Sequence, residues 1–417
     1  MNKQRLAQTQ GRSSQVPRSN RQRNKHYVSA TNTTKPKQFA EFFSGIGLMR
    51  AGLESEGWSI AFANDIDAQK VQMYTAHFGD ENSHLVHEDI HKLSAKSIPT
   101  VELATASFPC NDLSLAGARN GLSGENSSAF WGFINIIEGL GERKPRMILI
   151  ENVPGFLTSH KGNDFRNALL ALNRLGYSVD TFMLDASYFV PQSRQRLFVI
   201  GRLEMEAGRN PALIFSESVL RPRALSSFIV RNPDIRWNVR NLPAPPTNLR
   251  KNLKGILERL PPYAPEWWNQ DRARYLLNQM SSRHREIAEG MINGKQWSYG
   301  TVFRRVRNSR SMAELRVDGL AGCLRTPRGG SGRQILFKAG KGKYFARLLT
   351  PRECARLMGA DDYLIQARSN QALFGFGDAV CVPVIRWIAR NYLNPLFDDL
   401  NESVPENLHG EKQPAYA

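Results

Sequence analysis

The chain has 417 residues, of which 41% are hydrophobic and 22 are proline, and its formal net charge at pH 7 is +18. This composition excludes a collagen-like or largely disordered protein, and no apolar run approaches the roughly 18 residues of a membrane span. The length favours two packed domains over a single hydrophobic core.

The cysteines and the N-terminus indicate where the chain resides. The four cysteines, at 110, 323, 354 and 381, are scattered and form no CxxC pair, so neither a disulfide framework nor a zinc cluster is expected. The first residues lack the apolar core of a secretion signal. We therefore expect a cytoplasmic protein.

The positive charge is concentrated in two parts of the chain. Residues 1–37 hold nine Lys and Arg and no acidic residue, and residues 202–345 hold 27 basic and 11 acidic residues. The rest of the chain has 20 basic and 27 acidic residues. This separation is typical of a polyanion binder with a distinct catalytic body, although solubility alone can also favour a basic surface.

In chain order, residues 1–37 are predicted to be a disordered basic arm, because they show no hydrophobic period. A transit peptide has a similar composition but would show an amphipathic stripe. Short apolar runs then alternate with helical patterns, which predicts βαβ units and a parallel sheet. The predicted strands are Gln38–Phe43, Ser59–Asp65, Leu85–Ile90, Glu102–Phe108, Arg146–Val153, Ser178–Asp185 and Arg196–Leu203.

The remaining chain is predicted to hold a smaller, irregular domain and a return to the sheet. Residues 204–345 are rich in Pro, Arg, Asn and Trp, and their tip is the glycine-rich segment 325–334. After 346, Thr350 and Glu353 predict a capped helix, and the final helix is predicted to start near Val382. We therefore predict a catalytic and cofactor domain at 38–203 that 346–417 completes.

Three strand ends suggest a cofactor site. Ser44–Gly47 follows the first strand, where glycines allow a ligand to approach the backbone. Asp65 ends the second strand, where an acid suits ribose hydroxyls, and Asp89 ends the third, where it could accept from an adenine amino group. A tight turn and two helix caps are the alternatives, but the three together favour a cofactor that contains adenosine.

Two further strand ends carry reactive groups. Cys110 follows Pro109, which stiffens the turn, so the thiol is placed as a nucleophile, although a lone cysteine is more often buried and inert. Glu151 ends the most apolar strand, where desolvation should raise its pKa towards proton donation. The alternative is a glutamate whose oxygens accept hydrogen bonds from neighbouring backbone amides.

Two arginines are expected to lie near these groups. Arg194 and Arg196 alternate along a strand, so both should project from one face and contact a carbonyl or a phosphate. His84, His87 and His91 span a strand and its loop, and we do not interpret them as metal ligands. No metal is expected.

These motifs, in this order, resemble the DNA cytosine-5 methyltransferase family, in particular its bacterial and phage restriction-modification members. FFSGIGLMRAGLE resembles the cofactor loop, FPC with LSLAG the nucleophile loop, ENV the catalytic glutamate and QSRQR the arginine motif. RLLTPRECARLMG and FGFGDAV are similar to the family's last two motifs. The resemblance covers roughly residues 39–201 and 346–395.

The resemblance implies a Rossmann-like methyltransferase sheet and S-adenosylmethionine as the methyl donor. It implies that Cys110 adds to carbon 6 of a flipped cytosine, that Glu151 binds ring nitrogen 3, and that Arg194 and Arg196 hold the base carbonyl and nearby backbone. Carbon 5 then takes the methyl group. The residues implied for the cofactor are Phe43, Ser44, Gly45, Gly47, Asp65, Ile66, Asp89, Pro109, Asp378 and Val380.

The chain departs from the family pattern at several positions. Ser107, Phe108 and Asn111 alter the nucleophile loop, and Leu48 replaces a motif glycine. Asp378 stands where the last motif usually has Asn. These changes affect loop geometry and cofactor affinity rather than the nucleophile or the acid.

Residues 204–345 correspond to the variable target-recognition region of such enzymes. Arg and Gln side chains on its tip suit guanine and adenine edges, although a solvated loop is the alternative. The candidates for DNA recognition are Arg325, Arg328, Ser331, Arg333 and Gln334. We expect a monomer that binds duplex DNA and does not associate with a membrane. A cognate restriction endonuclease is expected to act separately.

Three other functions remain to be distinguished. An RNA cytosine-5 methyltransferase would share the chemistry, but the long basic recognition region argues against it. An inactive DNA-binding regulator is disfavoured because Cys110, Glu151 and Arg194 are all present. A Rossmann oxidoreductase would leave Cys110 and Glu151 together unexplained.

Overall fold

A seven-stranded sheet supports the predicted site, and we describe it from a computed structural model. The structure describes residues 36–79, 84–109, 128–204, 217–247, 252–307, 309–326 and 332–402. The predicted nucleophile Cys110, the tip residues Arg328 and Ser331 and nearly all of the predicted basic arm lie outside the described residues.

The strands of this sheet occur where the sequence predicts them. They are β1 (Gln38–Phe42), β2 (Ser59–Asp65), β3 (Leu85–His87), β4 (Leu103–Ala106), β5 (Met147–Asn152), β6 (Tyr177–Asp185) and β7 (Gln195–Leu203). Their order is β3-β2-β1-β4-β5-β7-β6. The third strand is shorter than predicted, because a 3₁₀ turn begins at Ile90. The Rossmann-like sheet is confirmed.

The direction of β7 differs from the wholly parallel sheet that the sequence predicts. The strands from β3 to β5 are parallel, whereas β7 is antiparallel to both β5 and β6. The cause is the connection between β6 and β7, which consists only of residues 186–194. A parallel return needs a crossover of about a dozen residues or more, so this connection permits only a hairpin.

Helices cover both faces of the large sheet, and two more helices pack on the second sheet described below. In chain order they are α1 (Leu48–Glu54), α2 (Ala68–Phe78), α3 (Ser128–Gly139), α4 (Gly155–Thr158), α5 (Asn163–Arg174), α6 (Arg223–Arg231), α7 (Leu253–Ile256), α8 (Gln270–Asn278), α9 (Ser282–Asn293), α10 (Pro351–Leu357), α11 (Ser369–Asp378), α12 (Val382–Ile388) and α13 (Asn394–Glu402). Phe39 and Leu103 pack into a core with α1 and α10–α13, whereas their neighbours Ala40 and Ala104 face α3 and α5. This alternation explains why the strands are apolar on both faces.

The C-terminal helices follow the sequence prediction closely. Thr350 caps α10, and the Glu353 side chain accepts from the Thr350 amide, so the predicted capping box is confirmed. The predicted final helix begins at Val382 as α12. The stretch 369–402 has the length and apolar composition of a membrane-spanning helix, but about two-thirds of its most apolar part is buried in the protein. Extended backbone at Ala379 and Cys381 also interrupts it, so we assign it to the core.

A second, four-stranded sheet lies in the basic region. Its strands are β8 (Ser298–Arg307), β9 (Arg310–Arg316), β10 (Ile335–Gly340) and β11 (Lys343–Leu348). Their order is β11-β10-β8-β9, and every pair is antiparallel. Helices α8 and α9 cover one face, where Leu276 and Ala288 share a core with Val302 and Phe337.

This sheet corrects the expectation that residues 204–345 are irregular. The alternation that identifies strands is hidden in β8, where Arg304, Arg305 and Arg307 occupy the outer half and burial is limited to residues 300–302. The predicted boundary at 345 falls inside β11. The division of the chain into a catalytic and a recognition domain stays a prediction.

A buried ion pair joins the large sheet to the segment that leaves it. Asp180 on β6 is fully buried, and Arg221 Nη2 donates to its two carboxylate oxygens at 2.8 and 3.0 Å. The Arg240 amide and the Tyr392 hydroxyl also donate to this carboxylate. Burial raises the pKa of Asp180, and Arg221 opposes that rise.

We expect Arg221→Met to lower the free energy of unfolding by about 3–5 kcal/mol, because it leaves the Asp180 carboxylate buried without its cation. Urea denaturation measures the change. Arg285→Met is the matched control, because Arg285 pairs with Glu289 on the exposed surface of α9 and should contribute only about 0.3–0.5 kcal/mol. Similar losses in the two variants would contradict this account.

Candidate functional site

The candidate site lies at one edge of the large sheet. Strands β1, β2, β4 and β5 are parallel, so the segments that follow them meet at the same edge. Because β7 is antiparallel, its beginning, rather than its end, lies at this edge. The glycine loop, Asp65, Pro109, Glu151 and the two arginines are thereby brought to neighbouring strand ends.

The glycine loop has a left-handed backbone at three positions. Phe43, Gly45 and Gly47 have φ values of 58°, 56° and 81°. A Cβ on Gly47 would lie 2.4 Å from the Phe78 ring, whereas a Cβ on Gly45 would meet nothing within 4 Å. The loop therefore packs tightly against α2 at Gly47 and leaves open space at Gly45. Next to this space, the buried hydroxyl of Ser44 has no hydrogen-bond partner.

Asp65 fixes the loop to the end of β2. One carboxylate oxygen accepts from the Gly45 amide at 2.7 Å, and the other accepts from the Asp67 amide at 2.8 Å. Burial raises the pKa of Asp65, although Lys70 and these two amides oppose the rise. The next residue, Ile66, is 63% exposed, which is unusual for a large apolar side chain.

Asp89 lies after the end of β3 and caps the 3₁₀ turn at 90–92 by accepting from the His91 amide. Asp89 thus serves as a helix cap, the alternative to adenine binding that its sequence position also allows. The histidines nearby have separate neighbours: His84 Nε2 lies 3.2 Å from the Tyr74 hydroxyl, and His87 Nε2 lies 3.0 Å from the Ile66 carbonyl.

The chain that leads to Cys110 is anchored beside Glu151. Phe108 is buried and packs edge-on against Phe156. Asn152, the residue after Glu151, donates from Nδ2 to the Phe108 carbonyl at 3.3 Å. Pro109 follows and is exposed. The backbone two residues before Cys110 is therefore held next to the end of β5.

The two arginines have different surroundings. Arg196 Nε lies 2.9 Å from Glu151 Oε1, and this ion pair compensates part of the cost of burying the carboxylate. Arg194 is 3% exposed and donates inward to the carbonyls of Leu324, Gly377 and Ala379. Of the two, Arg196 is therefore the one positioned next to the acid, while Arg194 joins three backbone segments.

Cys323 also belongs to this site, although no sequence motif identifies it. Its Sγ lies 3.3 Å from Arg194 Nη1 and 3.8 Å from Arg196 Nη2. Burial raises the pKa of the thiol, but the two guanidinium groups outweigh burial and leave the pKa lowered. No spacing motif marks this cysteine, since the contact depends on a long-range packing of segment 321–326 against β7.

The predicted DNA-recognition residues are placed differently from one another. Arg325 is exposed, and Arg333 is partly buried. Gln334 is 7% exposed, and its side chain hydrogen-bonds with the backbone of Gly322 and Cys323. A side chain that reads a base edge is expected to be exposed. Gln334 is instead buried, because its amide group binds the backbone of residues 322–323.

The last predicted cofactor residues lie at the end of α11. Val380 is 5% exposed and belongs to the core. Asp378 is more accessible, and its two oxygens bind Lys70 and Thr326. Lys70 and Thr326 were not identified from the sequence, because neither lies in a motif and the contacts span long distances along the chain.

Comparisons with known proteins agree on one family. The family described as C-5 cytosine-specific DNA methylase matches residues 37–394. The Type II methyltransferase M.DsaV of Dactylococcopsis salina is 28% identical over 89% of this chain and 90% of its own. The Type II methyltransferase M.HhaI of Haemophilus parahaemolyticus is 26% identical over 85% of this chain and 93% of its own.

Solved structures show the same fold. The S. pombe Dnmt2 methyltransferase is 19% identical to this chain and superposes with a TM-score of 0.55, covering 87% of this chain and 99% of its own. At this level of identity the similarity concerns the fold alone.

Proposed function

This chain belongs to the C-5 cytosine-specific DNA methylase family, and we propose that it methylates cytosine through a covalent bond between Cys110 and carbon 6 of the base. Its activity is that of a DNA cytosine-5 methyltransferase that uses S-adenosylmethionine. Its substrate is duplex DNA.

The observation that carries the covalent proposal is the arrangement around β5. Glu151 is held by Arg196, and the Asn152 side chain binds the backbone two residues before Cys110. A carboxyl group, a guanidinium group and a thiol would then act on the same ring. The base must leave the duplex first, because its ring atoms cannot be attacked inside the stack.

We assign each step to one group of the chain. The Cys110 thiolate donates an electron pair to carbon 6, while Glu151 hydrogen-bonds or protonates ring nitrogen 3, and Arg196 holds the base carbonyl. Carbon 5 thereby becomes nucleophilic enough to take a methyl group. Loss of the carbon 5 proton to a base then expels the Cys110 thiolate, and ring nitrogen 3 returns any proton it received to Glu151, which restores the ring and the enzyme.

Arg194 supports this arrangement in a different way. Its guanidinium group is directed to backbone carbonyls on two other segments, so we propose that it positions Arg196 and the 324–326 segment. Arg196, which lies next to Glu151, is the arginine that we propose to contact the base carbonyl.

The glycine loop fits S-adenosylmethionine, which supplies a methyl group on a positively charged sulfur. Open space at Gly45 and the unpaired buried hydroxyl of Ser44 offer room and a polar partner. The exposed side chain of Ile66 offers an apolar surface for the adenine ring. We propose that these residues hold the cofactor with Phe43, Gly47, Asp65, Asp89, Pro109, Asp378 and Val380.

We expect Gly45→Ala to weaken binding of S-adenosylhomocysteine about tenfold, equivalent to about 1.4 kcal/mol, because the added methyl group occupies the open space. Isothermal titration calorimetry measures the change. Gly47→Ala is the comparison. Because both glycines have a left-handed backbone, an alanine at either position costs about 1–2 kcal/mol of folding free energy. Only the alanine at position 47 would also overlap the Phe78 ring. Gly47→Ala should therefore unfold more readily. A Gly45→Ala variant that binds like the wild type would contradict the placement.

The relatives are Type II methyltransferases, and we propose that this chain also modifies one specific duplex sequence, as a monomer and alongside a separately acting endonuclease. We propose a cytoplasmic, nucleoid-associated location because DNA is the substrate. Arg325, Arg328, Ser331 and Arg333 are proposed to contact the DNA, with Gln334 supporting their segment.

The test is transfer of a labelled methyl group from S-adenosylmethionine to duplex DNA and, in parallel, to transfer RNA. We expect label in DNA only, and bisulfite sequencing should show one modified sequence. Label in RNA alone would indicate an RNA methyltransferase, and binding of DNA without transfer would indicate a regulator.

A further inference from the structure

Asp378 bonds simultaneously to a lysine beside the proposed cofactor loop and to the start of the glycine-rich tip. One carboxylate oxygen lies 2.7 Å from Lys70 Nζ on α2. The other accepts a hydrogen bond from the Thr326 hydroxyl. Thr326 follows Arg325 and is the second residue of the tip. The carboxylate thus directly links two parts of the chain that are proposed to bind different substrates.

The two sides of this link are held closely in place. Arg194 donates to the carbonyls of Gly377 and Ala379, on either side of Asp378, and also to the carbonyl of Leu324. A Cβ on Gly377 would lie 2.8 Å from the backbone carbon of Arg325. The turn at 377–379 therefore packs directly on the 324–326 backbone, and a displacement of one would be transmitted to the other.

On the cofactor side, Lys70 lies in the first turn of α2, immediately after the end of β2. Its amide hydrogen-bonds with the Asp67 side chain, and its ammonium group is attracted by Asp65 as well as by Asp378. Burial lowers the pKa of Lys70, but the carboxylates outweigh burial and raise it, so the lysine is charged at neutral pH. Asp65 in turn holds the Gly45 amide of the glycine loop.

We propose that Asp378 is a positioning residue that couples cofactor binding at the glycine loop to placement of the DNA-recognition tip, by binding Lys70 and Thr326 together. This inference rests on the proposed function. The asparagine that the family motif usually has here could accept from Thr326, but it could not form an ion pair with Lys70. The departure at this position therefore adds an electrostatic bond between the two substrate sites.

Thermodynamic linkage tests the proposal. The affinity of S-adenosylhomocysteine is measured without DNA and with a saturating duplex that carries the mapped methylation site, and the ratio of the two dissociation constants gives the coupling. In the wild type we expect DNA to tighten cofactor binding. In Thr326→Ala we expect this ratio to fall about fivefold or more, with binding in the absence of DNA little changed. Asp378→Asn should lower the ratio equally, and it should also weaken binding in the absence of DNA, because Asp378 is itself a proposed cofactor residue.

Conservative and matched variants separate coupling from general damage. Thr326→Ser keeps the hydroxyl and should retain the wild-type ratio. Combining Asp378→Asn with Thr326→Ala should reduce the ratio no further than either change alone, because both act on one link. Asp361→Asn removes a surface carboxylate that pairs with Arg356 and should leave the ratio unchanged.

The kinetic readout is a rise in KM for DNA in Thr326→Ala, with kcat largely retained. Two results would overturn the coupling while leaving the proposed function intact, provided that the wild type methylates DNA. In the first, the wild-type ratio of dissociation constants is near one. In the second, Asp378→Asn and Thr326→Ala have the same ratio as the wild type. A wild-type protein that transfers no methyl group to duplex DNA would instead overturn the proposed function.

Discussion

Replacing Cys110 by serine is expected to reduce methyl transfer to DNA on the order of 10⁴-fold or more, because a serine hydroxyl is a far weaker nucleophile than a thiolate. The change is almost isosteric, and the cofactor residues at the glycine loop are untouched. Affinity for S-adenosylhomocysteine should therefore remain close to that of the wild type. Single-turnover transfer of labelled methyl groups measures the loss.

Cys381→Ser is the matched control for this variant. Cys381 is buried at the N-cap of α12, where serine is a favoured residue, so the same substitution should retain both the fold and the activity. If Cys110→Ser transferred methyl groups at the wild-type rate, the assigned nucleophile would be wrong. If Cys381→Ser were equally inactive, loss of activity could not be ascribed to the Cys110 thiol.

Replacing Glu151 by glutamine is expected to slow transfer about 10²- to 10⁴-fold, the contribution usual for a positioned acid or base. Glutamine keeps the size of the side chain but cannot deliver a proton, and it loses the ion pair with Arg196. Since β4 separates β5 from β1, whose end leads into the glycine loop, the loss should appear in kcat rather than in cofactor affinity. Steady-state kinetics at saturating S-adenosylmethionine measure it.

Glu204→Gln provides a control from the same region of the sheet. Glu204 follows the other end of β7 and pairs with Arg202 at 3.0 Å, and its side chain is about as buried as that of Glu151. It lies away from the edge that carries the thiol, so its variant should be as active as the wild type. Equal losses in the two variants would indicate that burial of an ion pair, rather than acid chemistry, explains the effect of Glu151→Gln.

The large sheet could be predicted because its strands are buried on both faces. The run 146–153 is almost continuously apolar, and it is too short for a typical helix. Between two helical patterns, such a run indicates a buried strand of a parallel sheet. The direction of β7 was not predicted, because strand direction depends on the length of the connection at 186–194 rather than on the apolar pattern. That direction is what brings Arg196 to Glu151.

The small sheet and several site residues could not be predicted from local patterns. The outer half of β8 carries arginines on both faces, so its period is hidden. Cys323 and Thr326 reach the site only through packing against β7 and α11, which are distant in the sequence. Gln334 suited a base edge by its chemistry, but its burial against the 322–323 backbone depends on the tertiary fold.

Trapping of the covalent bond on a modified substrate tests the central claim most directly. In a duplex whose target cytosine carries fluorine at carbon 5, the proton lost in the last step is absent, so the bond between sulfur and carbon 6 cannot be broken after methyl transfer. We predict a complex that survives denaturation, with the DNA attached to the peptide that contains Cys110, and no such complex with Cys110→Ser. Methylation of the ordinary duplex without any trapped complex, or attachment at another residue, would contradict the account.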